Sequence, residues 1–313
     1  MRYSVMVPAY KRQFLGECID SILNQTYDDF ELIVVNDASP EDLDSVVKAY
    51  NDPRLRYFVN EKNCGAIDVV DNWNICLSHA KGDYVICMGD DDRLLPNCLE
   101  EYNRLIATYP GLGVYHAWTE IINEKSVVID MQEPRPLHED VYSMIWWRWH
   151  GRKQFIGDFL FNRALLEKNG GFYKIPLAWG SDDISAFIAA KDTGIANGQV
   201  PMFQYRKNTK SISSTGQVGL KMETVEICER WFRSFLAQKP AGTSATATTY
   251  WKLCKERLKM EMSKKRVGII SSGIDESPVH GLIYFIRNRK RFHINCKHIG
   301  YAWMISMRKR FKQ

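Results

Sequence analysis

Three things are missing from this chain of 313 residues: a CxxC spacing among its eight cysteines, an apolar run long enough to span a bilayer, and any acidic residue between Arg287 and Gln313. Cys18, Cys64, Cys76, Cys87, Cys98, Cys228, Cys254 and Cys296 stand apart, several of them inside apolar patterns. That arrangement excludes a zinc ribbon and reads as reduced core thiols of a cytosolic protein. The N-terminus also lacks a signal-peptide pattern, so a cytoplasmic location is expected. No GxGxxG follows the first predicted strand and no GxxxxGK[ST] occurs anywhere, which disfavours a dinucleotide fold and a P-loop NTPase. Any phosphate must be held in another way.

What is present is ordinary globular composition, 45% hydrophobic, 12% aromatic and 25% charged, enough for one large domain or one with an appendage. The formal charge of +5 is unevenly placed. Nine Lys/Arg lie from Arg287 onward, which leaves 33 basic against 37 acidic residues before it. A nucleic-acid binder with a basic body is not expected; a basic tail is.

Along the chain, Tyr3 to Val7 reads as a strand, followed by a helical pattern through Phe14, Cys18, Ile19, Ile22 and Leu23. A fully buried strand is expected at Glu31 to Asp37, a short helix at Pro40 to Tyr50 and a strand at Leu55 to Val59. A helix follows at Ala66 to Ala80, then a strand at Tyr84 to Met88, a helix at Pro96 to Tyr109 and a strand around Val114 to Trp118. Strands alternating with helices over short connections predict an α/β fold, a mostly parallel central sheet flanked by helices in the Rossmann-like manner. Ligands bind such sheets at the carboxyl ends of strands, where Tyr10, Asp37 and Asp90-Asp91-Asp92 all fall. Three adjacent carboxylates repel one another unless a cation joins them. Hard oxygen donors suit Mg²⁺ or Mn²⁺, and such an ion would hold phosphate. An Asp-rich turn capping the next helix is the other reading of the same triplet.

Five segments, in order, resemble the family 2 glycosyltransferases of GT-A fold: Val5-Met6-Val7-Pro8-Ala9-Tyr10-Lys11-Arg12, Ser21 to Tyr27, Glu31 to Ser39, Asn63-Cys64-Gly65 with Asp71-Asn72, and Lys81 to Val85 leading into the acids. The resemblance covers roughly residues 3 to 215. It departs from the family pattern at Lys11, Asp71 and Gly89, the last standing where the first Asp of Asp-x-Asp is usual.

The resemblance implies a metal-dependent, inverting transfer of a sugar from a nucleotide sugar, with uridine donors the nearest analogy, to a saccharide hydroxyl. Pro8, Tyr10, Asp37 and Asp90 would meet the donor nucleotide; Asp91, with Asp90 and Asp92, would hold Mn²⁺ or Mg²⁺. Asp92 could equally cap the next helix. Gly170-Gly171-Phe172-Tyr173 and Trp179 to Asp183 resemble the family's Gly-Gly-Phe-Asp…Glu-Asp segment, which makes Asp183 the general base or the N-cap of a helix at Ile184 to Ala190. Asp182, Trp179 and Asp158 are acceptor candidates. Tyr205-Arg206-Lys207-Asn208…Ser211-Ile212-Ser213 resembles a loop over the diphosphate, with Arg206 a leaving-group contact, Asn208 in place of a His, and Lys207 and Lys210 solvated or engaged. The aromatic stretch Met144 to Phe155 fits a sugar-stacking wall, core or a lipid-facing surface.

The expected division is a catalytic domain over 1–215, its donor half about 1–118 and acceptor half about 119–215, and a helical basic extension over 216–313. In the extension a helix is predicted at Glu223 to Leu236, a small-residue linker at Gln238 to Thr249 and a charged helix at Trp251 to Arg266. The tail mixes Tyr284, Phe285, Phe292, Tyr301, Trp303 and Met304 with its basic residues, which suits the inner face of an anionic membrane and a lipid-linked acceptor in surface polysaccharide synthesis. Two other readings stay open: a nucleotidyltransferase on a similar fold, and a non-catalytic nucleotide- or sugar-binding module.

Overall fold

The computed structural model describes residues 2–208, 217–240 and 244–310, in two units. The first takes in 2–174 and 181–208; the second takes in 175–180 and the described residues from 217 onward.

In the first unit β1 (Tyr3–Ala9), β2 (Phe30–Asn36), β3 (Leu55–Val59) and β4 (Tyr84–Cys87) run parallel in the order β3-β2-β1-β4. Every residue of β2 is buried, as the apolar run Leu32 to Val35 requires of a strand covered on both faces. Crossovers are made by α1 (Leu15–Leu23), α2 (Asp44–Val47) and α3 (Val69–His79). Leu15, Cys18, Ile19 and Ile22 of α1 recur at helical spacing and are buried against the sheet. The helix expected from Ala66 begins at Val69, and Ile67 is left exposed.

Past β4 the sheet continues β9-β6-β10-β5, where β5 is Arg93–Leu94, β6 Val114–Ile122, β9 Phe159–Asn162 and β10 Ile195–Arg206. β9 is antiparallel to both β4 and β6, while β10 is parallel to β6. Two short strands, β7 (Val128–Met131) and β8 (His138–Glu139), pair with β6 and β10. The remaining helices are α4 (Cys98–Thr108), α5 (Val141–Trp149), α6 (Arg163–Lys168) and α7 (Ser181–Ala189). α7 starts two residues before Asp183, so Asp182 and Asp183 lie in its first turn and neither is an N-cap. The paired glycines have a local cause. Gly171 has φ +85°, and a Cβ there would stand 2.4 Å from Asn74 Oδ1, whose amide group receives the Phe172 N–H at 2.8 Å.

The second unit holds α8 (Val218–Phe235), α9 (Ala245–Glu276), α10 (Pro278–Arg287) and α11 (Cys296–Arg310). The linker expected up to Thr249 is shorter: Ser244 accepts the Ala247 N–H and starts α9 at Ala245. Met222, Val225, Cys228 and Phe232 form the buried stripe of α8. Arg266 of α9 ties to it through Glu226 and Glu229, the latter at 2.8 Å. Among the described residues no helix is long and apolar enough to cross a membrane.

Candidate active site

The loop after β4 is held by backbone donors just past β1 and at the end of β10. Asp90 Oδ2 accepts the N–H groups of Tyr10 and Lys11, both at 2.7 Å, which ties the end of β1 to the acid loop. Burial pushes the Asp90 carboxyl up to about 6 against the pull of those two N–H groups. Asp92 Oδ1 accepts the Arg206 N–H at 2.9 Å and Oδ2 the Gly89 N–H at 3.3 Å. Burial and the adjacent Asp91 charge raise its pKa well above the usual range. Asp92 does not cap the next helix, which begins only at Cys98.

Asp91 is half-buried. Burial raises its pKa, opposed by Lys11 and by a hydrogen bond with Asn208, so the Asn in the histidine position engages the acid loop directly. A Cβ on Gly89 would stand 3.0 Å from Asp91 Oδ1 and 3.0 Å from Asp92 Oδ2. Two carboxylates therefore lean over a residue that has no side chain.

The Arg206 guanidinium, expected as a leaving-group contact, is fully buried beneath the acid loop. Nε donates to the Asp91 carbonyl at 2.7 Å, Nη1 to the Asn123 carbonyl and Ser126 Oγ, and Nη2 to Glu17 at 2.9 Å. The carbon at its centre lies 4.1 Å from the Phe14 ring centroid. It is the floor on which the acid loop rests.

At the end of β2, Asp37 Oδ1 accepts from Asn60 Nδ2 at 2.8 Å and from the Cys64 N–H at 3.0 Å, and the Asp37 N–H donates to Ala9. It steadies the 60–64 loop and is not a helix cap, because α2 starts only at Asp44. Ser39 Oγ donates to the Tyr10 carbonyl at 2.6 Å, while the Tyr10 side chain, 43% exposed, faces solvent. Pro8 sits half-buried in register with Val35. The structure thus gathers Pro8, Tyr10, Asp37 and Asp90 to Asp92 at one edge of the sheet.

Asp183 is held from a different direction. Arg148 Nε donates to its Oδ1 at 2.8 Å and its Oδ2 at 3.0 Å, and Gln154 Nε2 to Oδ1 at 2.6 Å. Both partners come from the aromatic stretch, on and just after α5, whose N-terminus is capped by Asp140. Within that stretch Met144 and Ile145 are core and Trp147 is exposed. Phe155 stacks on Tyr205 at 3.7 Å between centroids. The Tyr205 hydroxyl is pushed up to about 12 by burial and by the charges of Asp92, Asp91, Asp158 and Asp182, so one ring feels both carboxylate groups.

Asp158, expected among the acceptor residues, has both carboxylate oxygens engaged within the protein. It is 0% exposed, with Oδ1 bonded to Thr119 and Oδ2 accepting from Gln132 Nε2 and the Phe155 N–H, both at 2.7 Å. Asp182 remains half-buried beside Asp183, and Trp179 falls in the second unit, where Lys221 Nζ lies 5.9 Å from its ring centroid. Lys207 is exposed, while Lys210 and Ser211-Ile212-Ser213 lie outside the described residues.

Among the described residues no three His, Cys, Asp or Glu side chains are gathered as a ready-made ion cage. Asp91 with Asp92 still fits a divalent cation: hard oxygen donors converge over Gly89, and Mg²⁺-type ions are commonly bound by one or two carboxylates plus substrate phosphate.

Residues 4–170 match the family model described as Glycosyl transferase family 2. Over 101 residues the chain is 40% identical to the GalNAc(5)-diNAcBac-PP-undecaprenol beta-1,3-glucosyltransferase of Campylobacter jejuni, covering 31% of this chain and 32% of that protein. Over 100 residues it is 35% identical to glycosyltransferase GlyG of Streptococcus pneumoniae, again 31% of this chain and 32% of that one. Each match spans about a third of the relative's length. Among solved structures, residues 1–349 of S. aureus TarS in complex with UDP-GlcNAc share the fold, with a TM-score of 0.64 at 16% identity over 100% of this chain and 93% of that one.

Proposed function

Because the chain belongs to the family 2 glycosyl transferases, we propose that it moves one sugar from a nucleotide sugar, a uridine diphosphate sugar first among candidates, to a hydroxyl of a lipid-linked saccharide, inverting the anomeric centre. The observation that carries this reading is the junction of three parallel-strand ends, with Asp90 tied to the Tyr10 and Lys11 N–H groups and Asp37 to Ala9. In parallel sheets that edge receives nucleotides. The Tyr10 ring is exposed for stacking on the base, and Asp37 braces the loop beside it.

Asp91, flanked by Asp92, would hold a divalent ion, which when bound offsets the negative charge that grows on the departing diphosphate. Asp90, Asp92 and Arg206 keep the loop in place through the contacts already described. On the acceptor side an alcohol needs a positioned base. Asp183 supplies it: Oδ1 carries two donors and Oδ2 one, so Oδ2 is the oxygen that takes the proton. Arg148 and Gln154 fix the direction in which that oxygen points.

The second unit supports a peripheral membrane contact at the inner face. Val279, Ile283 and Ile286 of α10 are exposed on one helix face at spacings of four and three residues. Tyr301, Trp303, Met304 and Ile305 of α11 are exposed as well. Apolar side chains beside basic ones suit an anionic headgroup layer, each basic residue adding about 1 kcal/mol.

The test is release of nucleoside diphosphate from UDP-, GDP- and dTDP-sugars, with Mn²⁺, Mg²⁺ or chelator, alongside donor binding on the same samples. Metal-dependent release from one donor, lost in Asp91→Ala, supports the proposal. Absence of metal-dependent binding of every donor overturns it.

A further inference from the structure

The second unit contains a cavity of about 890 Å³ between α8, α9 and the start of α11. Arg230, Arg233, Lys259, Arg266 and Lys297 line it, against three carboxylates, Glu226, Glu229 and Glu256. Those carboxylates are already engaged: Glu226 and Glu229 with Arg266, Glu229 also with Arg233, and Glu256 with Lys252 at 4.0 Å. Arg230, Lys259 and Lys297 have no ion pair among the described residues, and all three are exposed to the cavity's solvent. Cations left uncompensated around one space repel each other and draw an anion in.

The hydrogen bonding of the wall points the same way. His298 Nδ1 accepts the Asn295 N–H at 3.1 Å, so Nε2 carries the ring proton and donates to Ser263 Oγ at 2.9 Å. Ser263 is left with its hydroxyl hydrogen to donate, and it lines the cavity. Burial and the Arg266 charge lower the His298 pKa. The buried Arg266 Nε has no partner among the described residues. Asn295, Lys297 and His298 bring the first turn of α11, with its partial positive charge, to the same wall. Met260, Val267 and Tyr301 add an apolar and aromatic margin.

We propose that this cavity is a second binding site, for a phosphate or diphosphate ester, gripped by Arg230, Lys259 and Lys297 with Ser263 as a neutral donor. The chemistry fits a lipid headgroup and a soluble phosphate ester alike, and it does not depend on sugar transfer.

The experiment is calorimetric titration of the full chain with inorganic pyrophosphate in the presence of chelator. Lys259→Gln/Lys297→Gln is expected to weaken binding tenfold or more, while Arg287→Gln/Lys290→Gln, outside the cavity, changes it less than twofold. All four positions are exposed, and matched circular dichroism spectra establish equal folding. A second arm measures co-sedimentation with phosphatidic acid vesicles and with neutral phosphatidylcholine vesicles. Loss of phosphatidic acid binding in Lys259→Gln/Lys297→Gln assigns the site to a headgroup; unchanged vesicle binding with weakened pyrophosphate binding assigns it to a soluble ester. Equal pyrophosphate affinity in native protein and Lys259→Gln/Lys297→Gln, or no binding by either, overturns the site. None of these readouts involves donor turnover, so they stand apart from the test of the transferase.

Discussion

Arg148 grips Asp183 through a single nitrogen, Nε, which lies 2.8 Å from Oδ1 and 3.0 Å from Oδ2. Its Nη1 meanwhile donates to the Arg152 carbonyl at 3.0 Å, so the guanidinium is anchored at its far end. A carboxylate held this way keeps its direction without help from a ligand.

Asp183→Asn is expected to lower turnover by about 10²–10⁴, the usual worth of a positioned general base, with donor binding unchanged. Arg148→Gln keeps the carboxylate but frees its direction, so it should reduce kcat by a smaller factor than Asp183→Asn. Single-turnover transfer assays on both variants decide it. Full activity in Asp183→Asn would remove that residue from the chemistry.

Gly89→Ala tests the convergence of Asp91 and Asp92. A methyl group 3.0 Å from both carboxylates must push at least one aside by a few tenths of an ångström. Metal-dependent donor binding should weaken about tenfold, or about 1.4 kcal/mol, with little change in Tm. Calorimetry with Mn²⁺ and the donor measures this, and unaltered affinity would show that the two oxygens do not act together.

His116 sets a pH limit on stability. It is buried, with both ring nitrogens lacking hydrogen bonds among the described residues, and Asp158 Oδ2 lies 3.7 Å from Nε2. Burial, then the Arg135 charge, push its pKa down to about 4 despite Asp158. The unfolded chain, with an ordinary histidine near 6.5, binds the proton first. Stability is therefore full above about pH 6.5 and falls as pH drops toward 4, by about 3 kcal/mol across the window. Urea unfolding at pH 7 and pH 5 should show the loss, and His116→Phe should reduce the difference between them.

Ile283→Glu/Ile286→Glu places two charges on the exposed face of α10. Partition onto anionic vesicles should fall at least tenfold, and raised salt should weaken native binding through the basic residues. Co-sedimentation that ignores both changes would overturn the membrane contact of this unit.

The parallel half of the sheet was readable because each strand is an apolar run and each helix repeats its apolar residues at helical spacing, as in Leu15, Cys18, Ile19 and Ile22. β10 was not. No strand was expected there, and Gly198 and Pro201 inside it are absorbed with shifts of register against β6 on both sides of Pro201. β5 and β8 are two residues each, too short for any pattern. The acids themselves were legible as a triplet, but the groups that hold them are largely backbone N–H donors, which every residue type carries. Arg206 was read as a leaving-group contact, and its burial beneath the loop was not legible. Arg148 and Gln154 stand 35 and 29 residues before Asp183, beyond any local signal.

The bond from the Arg206 N–H to Asp92 joins positions 114 residues apart, which gives the chain a timetable. A ribosome adds about 5–20 residues per second, so roughly 6–23 s separate synthesis of the acid loop from synthesis of the strand that pins it. During that interval β1 to β4 can already pair, since each lies close behind the last. The nascent chain then carries an acid loop whose Asp90 is already tied to the end of β1 while Asp92 still lacks its bond from Arg206. That last pin arrives late, with the final strand of the sheet, and a product stalled before Arg206 would have β1 to β4 in place yet lack the Arg206 bond to its acid loop.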